Sequence, residues 1–554
     1  MVMTNIINIK IRSLVTYLVP RVSYLVLFSL LFSCSDQWSD HYESSSTAEN
    51  NGSLWKSMSE NPELSNFASV VKTCGYDRIL DGNQTFTVFA PTNATFTATQ
   101  AEALIASYNE QAAKGVRTNE NTVIRRFLQN HIAQYRYPVS SLTEKTIAMM
   151  NNKYAHITAN KIGDRTLTSK NALSANGLLF TIDGMLNYMP SVFESLDMEA
   201  GLDSVYQFLN SHSVYLFDET QSVPGEIIDG VTHYLDSVTV FNNELLQKYG
   251  LINSEDSSYI MVAPVNSEWD RLVAAYEPYF NYANNVPYRD SLIYTNTRLA
   301  ILGGAFFSRT LNSDEALQDS AVSTQAYTAQ MRQALGIDES YYVYPTPYAS
   351  GGIFDGTQAV ACSNGQMLKA TTFSIPSTMT FMQNVKVEAE NSQYQDTLIN
   401  AVEPVTIRQV ESNNPFYGKV SGNAFIEVVP STPSDKVVIG FKVPRLLSAV
   451  KYDVYAVFAP ATAADTLATA ETTKTVRVIS RLRQTDQNGV MTTPPFRYPK
   501  TIDGTIVNEV KLQSGVKLTT CGYELSEPNV RLEIQSNTEG ATLRIDHIIF
   551  KPVE

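Results

Sequence analysis

Gln84-Thr-Phe-Thr-Val-Phe-Ala-Pro-Thr-Asn-Ala-Thr-Phe96 recurs, altered, as Ser257-Ser-Tyr-Ile-Met-Val-Ala-Pro-Val-Asn-Ser-Glu-Trp269. Each copy reads as a short strand running into Ala-Pro-x-Asn, with an aromatic residue three positions beyond the asparagine. A repeated strand-and-turn of this length predicts a duplicated domain, and a duplicated element is as readily architecture as active site.

The 554-residue chain exceeds what one hydrophobic core supports, so three or four domains are expected. With 44% hydrophobic and 17% charged residues its composition is that of globular protein. The formal charge is −14; without the first 33 residues, whose charges are Lys10, Arg12 and Arg21, it is −17. Such an acidic surface repels phosphate backbones, so nucleic acid is not an expected partner.

Residues 1–33 read as a signal peptide. Lys10, Arg12 and Arg21 precede an apolar run, Val22 to Phe32, too short to span a bilayer. The run ends in Leu31-Phe32-Ser33-Cys34, which resembles a bacterial lipobox and implies that Cys34 is lipidated. Residues 34–53, with Asp36, Asp40, Glu43 and Ser44-Ser45-Ser46, carry too little apolar surface to fold alone and read as a tether reaching about 25 Å. Acids soon after the lipidated cysteine resemble surface-export signals of Bacteroidetes lipoproteins, which implies the outer membrane and its exterior face. The remaining cysteines, Cys74, Cys362 and Cys521, are too far apart for a metal motif or a disulfide framework and read as buried thiols.

In residues 54–197, Asn61-Pro62 starts a helix with Leu64, Phe67, Val70 and Val71 on its apolar face. The Phe86–Ala90 strand follows, then a helix over Asn121–His131 with Ile124, Phe127, Leu128 and His131 on one face. Asn176-Gly177 forms a turn feeding a strand through Ile182-Asp183. These landmarks, in this order, resemble a fasciclin domain. The resemblance implies a compact α+β unit, a twisted β-wedge with helices, of a kind that is mostly adhesive or ligand-binding.

Residues 198–390 repeat the landmarks with drift, and read as a divergent fasciclin-like domain with insertions. Ala263-Pro264-Val265-Asn266 answers Ala90-Pro91-Thr92-Asn93, Asn296–Phe306 answers Asn121–His131, and Asn364-Gly365 answers Asn176-Gly177. This alignment sets Phe306 opposite His131. A histidine replaceable by phenylalanine is expected to be a satisfied core residue rather than a catalyst or ligand.

From residue 391 to 554 the hydrophobic period becomes two. Strands are expected near Val405–Val410, Ala424–Val429, Lys436–Lys442, Lys451–Phe458, Thr475–Ile479, Val507–Leu512, Val530–Ile534 and Ala541–Phe550. The last, Thr542-Leu-Arg-Ile-Asp-His-Ile-Ile-Phe550, resembles the closing strand of jelly-roll carbohydrate-binding modules. The expected fold class is therefore two α+β fasciclin-like domains followed by an all-β, jelly-roll-like sandwich.

Nucleophile-elbow, H-E-x-x-H, P-loop, EF-hand and paired-cysteine motifs do not occur after residue 33, so no catalytic residue, metal ligand or cofactor is assigned. Aromatic residues in loops are the candidates for ligand or partner contact: Tyr279 and Tyr282, Tyr342 and Tyr344, Phe416 and Tyr417, Phe496 and Tyr498. Two readings stand for each, a binding surface or a staple holding a long loop to its domain. Six Asp-Ser/Thr-aliphatic tripeptides, at Ser204, Ser237, Ser291, Ser320, Thr397 and Thr466, resemble Bacteroidetes O-glycosylation sites, although Asp-Ser also starts helices.

The combination of lipobox, fasciclin-like pair and terminal sandwich resembles accessory lipoproteins of SusC/SusD-type, TonB-dependent nutrient importers. It implies a non-catalytic binding or assembly role on the cell surface. The expected partners are the outer membrane, a SusC/SusD-like transporter with other surface lipoproteins, and a glycan or peptide ligand. An adhesin for host matrix or other cells is the alternative, and a surface glycan hydrolase a distant third.

Overall fold

The computed structural model describes residues 52–137, 144–228, 230–326, 342–468, 475–493, 499–523, 527–535 and 537–553. Cys34 and the tether up to Asn51 lie outside them, as do Phe496 and Tyr498. The chain divides into two compact units between Tyr188 and Met189.

The first unit begins with helices Leu54–Ser59, Ser65–Thr73 and Asp77–Leu80. Ser53 caps the first by accepting from Lys56 N at 3.2 Å, and Asn61 accepts from Glu63 N ahead of the second. Phe67, Val70 and Val71 turn inward against the sheet, as their spacing predicts. Strand Phe86–Pro91 is buried at every position because it is central: Ile132–Ala133 pairs on one side and Gly177–Ile182 on the other, parallel, from Phe86 opposite Gly177 to Pro91 opposite Ile182. Strand Arg165–Ser174 continues the sheet from Gly177–Ile182, and Lys161–Ile162, Tyr154–Thr158 and Glu144–Ala148 complete it.

Two local expectations shift. The hairpin loop is Ala175-Asn176, with Gly177 already in the strand opposite Ser174. A Cβ at Gly177 would lie 2.1 Å from Phe86 O, so the glycine permits close strand approach rather than a turn. The helix expected over Asn121–His131 is instead a π-helical turn, Ile124–Leu128, followed by a 3-10 turn, Gln129–His131.

The second unit contains the second copy. Helices Val192–Met198, Asp203–Asn210 and Glu244–Tyr249 precede strand Tyr259–Pro264, which pairs parallel with Gly365–Ala370 from Tyr259 opposite Gly365 to Pro264 opposite Ala370. Phe306–Ser308 pairs on its other side and Gln358–Cys362 beyond Gly365–Ala370. The register corrects the residue-level alignment. Val88 faces Ile132 in the first copy and the equivalent Met261 faces Phe306 in the second, so Phe306 matches Ile132 and His131 matches Ala305. Helix Val192–Met198 packs into this copy, which therefore begins before residue 198.

The sandwich follows in the same unit. One antiparallel sheet orders Thr406–Gln409, Ala424–Val428, Leu543–Val553, Lys451–Phe458 and Asn508–Lys517. The other orders Gln395–Ile399, Val438–Lys442, Asn529–Ile534, Val476–Thr485 and Met491–Thr492, with Lys500–Ile502 also on Val476–Thr485. Ile426, Val454 and Ile548 of the first sheet share a core with Ile439, Phe441 and Leu532 of the second. Strand Val385–Glu388 pairs with Leu543–Val553, so the sandwich starts at Val385, six residues earlier than its sequence period suggests.

Candidate functional site

The first and last strands of the sandwich bring acids together. Glu388 lies opposite His547 in the ladder, and Ala389 N continues it by donating to Asp546 O at 2.9 Å. One ligand-capable atom from each of Glu388, Asp546 and His547 lies within 4.8 Å of the others. Asp546 is fully buried; its Oδ2 accepts from Ser421 N at 3.1 Å, while its Oδ1 has no hydrogen-bond partner. His547 Nδ1 is 3.3 Å from that oxygen but without hydrogen-bond geometry. Glu388 Oε1 takes Lys386 Nζ and Ser421 Oγ, both at 2.7 Å, whereas its Oε2 and Glu390 Oε2 are buried without donors.

Buried carboxylate oxygens without donors are costly, and the cost appears as a displaced pKa. Burial, then the nearby Glu388 and Asp546 charges, push the Glu390 carboxyl upward, with Lys386 opposing. Carboxylate oxygens converging in this way suit a hard divalent cation such as Ca²⁺, which supplies the missing positive charge. Sequence reasoning assigned no metal ligand and missed this cluster. Its signal was Glu388 and Glu390 two residues apart at the end of strand Val385–Glu388, with Asp546-His547 in the strand that closes the fold.

The aromatic candidates divide sharply. Tyr282 is 8% exposed and faces the sandwich core, and burial pushes its hydroxyl up to about 12. That hydroxyl accepts from Asn296 Nδ2 at 2.9 Å. Tyr279 packs on Tyr276 and Phe381, and its carbonyl accepts from Cys521 Sγ at 2.8 Å and Ser448 N at 3.1 Å. Tyr344 is 1% exposed against Phe307, and Tyr342 donates its hydroxyl to Thr380 O at 3.2 Å. Tyr282 and Tyr344 are thus buried staples, while Tyr279 and Tyr342 are partly buried and bonded into the same loops. Tyr417 is half-exposed in the loop where Asn414 anchors Phe416 N at 2.9 Å, and Lys419 Nζ lies 5.6 Å from the Phe416 ring. Of the six aromatics among the described residues, Tyr417 alone is exposed, while Phe416 beside it packs on Val410, Val420 and Phe425.

The Asp-Ser/Thr tripeptides are equally unequal. Ser204 and Ser291 stand in the first turns of helices Asp203–Asn210 and Arg289–Leu302; Ser204 N donates to Asn266 Oδ1 at 3.0 Å. Ser237 and Ser320 are in strands, as is Thr397, whose Oγ1 accepts from Arg531 Nη2 at 3.0 Å. Thr466 sits in an exposed turn where Asp465 Oδ1 accepts from Leu467 N at 2.9 Å. Only there is the tripeptide presented on a loop.

His131, the most reactive-looking group of the first unit, is fully buried. Its Nε2 accepts from Leu186 N at 2.9 Å, so Nδ1 carries the proton and donates to Phe127 O at 2.7 Å. Burial, aided by Arg165, pulls its pKa down to about 4. A neutral imidazole with both nitrogens engaged is a structural bridge.

The duplicated asparagines tie the two copies together. Asn176 Oδ1 accepts from Leu54 N at 2.7 Å, and its Nδ2 donates to Leu80 O and Gly82 O. Asn364 repeats all three bonds, accepting from Val192 N at 2.8 Å and donating to Ile252 O and Ser254 O. Residues 62–189 match the Fasciclin domain family.

The fasciclin domain is a module associated with cell adhesion and binding, and is generally non-catalytic. A FAS1 domain pair from the insect cell adhesion molecule Fasciclin I is 12% identical, covering 58% of this chain and 99% of its own, at a TM-score of 0.18. The CBM22-1 xylan-binding domain of Paenibacillus barcinonensis Xyn10C is 11% identical, covering 31% and 94%, at 0.21. The likeness of the two copies within the chain rests on their shared register and asparagine bonding. No curated protein matches the chain.

Proposed function

We propose that this protein is a surface-exposed outer-membrane lipoprotein, anchored through Cys34, with a non-catalytic binding or assembly role. In this reading it is an accessory component of a SusC/SusD-like, TonB-dependent uptake complex for glycans or peptides. The observation that carries the proposal is the fasciclin domain at residues 62–189 behind a lipobox-like leader. A second fasciclin-like copy and a β-sandwich in one compact unit add surface for binding or assembly. The Phe416–Tyr417 loop is the candidate ligand surface, and Asp465-Thr466-Leu467 the candidate glycosylation site.

Labelling with a fatty-acid analogue, with and without Cys34→Ala, tests the anchor. Affinity purification of the full-length protein from solubilised outer membranes tests the partner. Recovery of transporter components with the wild type supports the complex; their absence overturns it. The association of fasciclin domains with adhesion favours an adhesin as second reading. It predicts loss of cell or matrix attachment in a deletion strain whose nutrient uptake is unchanged.

A further inference from the structure

Comparing the two copies exposes an insertion. In the first, helices Ser65–Thr73 and Asp77–Leu80 are joined by Cys74-Gly75-Tyr76 alone. In the second, the corresponding helices Asp203–Asn210 and Glu244–Tyr249 are separated by a two-stranded ribbon. Its strands Ser213–Ile228 and Val231–Asn243 pair from Ser213 opposite Asn243 to Ile228 opposite Val231. Sixteen residues of strand reach about 50 Å. Among the described residues neither strand has a second strand neighbour.

The base of the ribbon is fixed. Asn243 donates to Leu209 O and accepts from Leu245 N and Leu246 N, and Phe241 packs between Phe193 and Tyr215. Beyond this anchor the described apolar side chains stand open. Val214, Leu216 and Val240 stand about half-exposed on one face, and Ile227 and Val231 at the far end are 71% and 62% exposed. An isolated two-stranded ribbon is marginal in water, and exposed apolar surface of this extent marks an interaction site. Charge says what kind. Residues 211–243 contain Asp218, Glu219, Glu226, Asp229 and Asp236 and not one lysine or arginine.

We infer that the ribbon is a docking arm for a protein partner whose contacting edge is apolar and flanked by lysine or arginine. Its strands accept a further strand along an outer edge, apolar contacts give affinity, and the acidic residues select a basic partner. A second copy of this chain brings five negative charges against five, and an anionic lipid surface is repelled in the same way. The inference is independent of the transporter reading and stands or falls separately from it.

A photocrosslinking benzoyl-phenylalanine placed at Leu216 or Ile227 of the full-length protein, in its own membrane, tests it. Leu467, exposed on the sandwich, is the control position. The expected result is one protein adduct from both ribbon positions, joined through a peptide bearing lysine or arginine. Yield should fall at least fivefold with D218N/E219Q/E226Q, or in high salt with the acidic residues intact. An adduct with a second copy or with lipid overturns the inference. So does a yield insensitive to charge and salt, or no greater than that from Leu467.

Discussion

His131 illustrates how one side chain ties a fold to a pH range. Its imidazole is held neutral with its pKa near 4, against about 6.5 in the unfolded chain. Between these values the unfolded state binds the extra proton, so stability rises with pH across the window and is lost as pH falls through it. The first unit should lose about 3 kcal/mol between pH 7 and pH 4 from this group. Denaturant titrations should show the slope flattened in His131→Leu, which is also less stable at pH 7 because Leu186 N loses its acceptor. Asn176 and Asn364 make a parallel case. Each bridges the N-terminus of one helix to main chain at or after the end of another by three bonds, so Asn176→Ala or Asn364→Ala should destabilise its own unit by about 2–4 kcal/mol. Unfolding midpoints of the two variants check this directly. Their equivalence was legible in sequence as Asn-Gly repeated; their work was not. The motif reads as a hairpin turn, whereas the asparagine side chain reaches residues 122 and 172 positions away.

At the scale of elements, what sequence reveals depends on how long a pattern persists. Lys451–Phe458 is found at its expected limits because open and buried residues alternate from Lys451 to Ala456 and the last two residues are also buried. Val385–Glu388 and Gln395–Ile399 were missed because four or five residues, half of them polar, leave too short a period to register. The fasciclin landmarks survived drift because both copies need the same parallel pair, yet register moved one residue at His131, where no turn residue marks the slip. The acidic cluster suffered most, since its members lie 158 residues apart and meet only when the first strand closes on the last. That closure yields a prediction. Ca²⁺ bound by Glu388 and Asp546, with His547 beside them, would couple the two ends of the sandwich, stabilising it by about 2.7 kcal/mol at a hundredfold excess over Kd. Calcium should raise the unfolding midpoint of the second unit, chelator should reverse this, and Asp546→Asn should abolish the response. An Asp546→Asn protein that retains the full response would remove the cluster from consideration.

At the scale of the whole second unit, a fasciclin-like half and a sandwich behave as one body because the aromatic stretch was spent on joining them. Phe280, Tyr282, Ala283 and Val286 enter the sandwich core rather than that of their own half. Polar bonds seal the rim: Asn281 Nδ2 donates to Gln487 Oε1 at 2.8 Å and Thr519 O at 3.0 Å, Cys521 N donates to Asn281 O, and Ser448 Oγ donates to Pro278 O. A contact with an apolar centre and satisfied polar edges resembles an obligate interface, in which neither side is stable when separated. The second unit should therefore unfold in one transition although it holds two folds. Phe280→Ala removes a ring that is 8% exposed at the centre of this contact and should cost about 3–5 kcal/mol. The consequence to watch is the shape of the transition. With the ring gone, calorimetry should resolve two overlapping steps, and hydrogen exchange should accelerate first in Glu277–Phe280 and Arg289–Leu302. A single sharp transition, merely shifted to lower temperature, would mean the rim bonds alone hold the halves together.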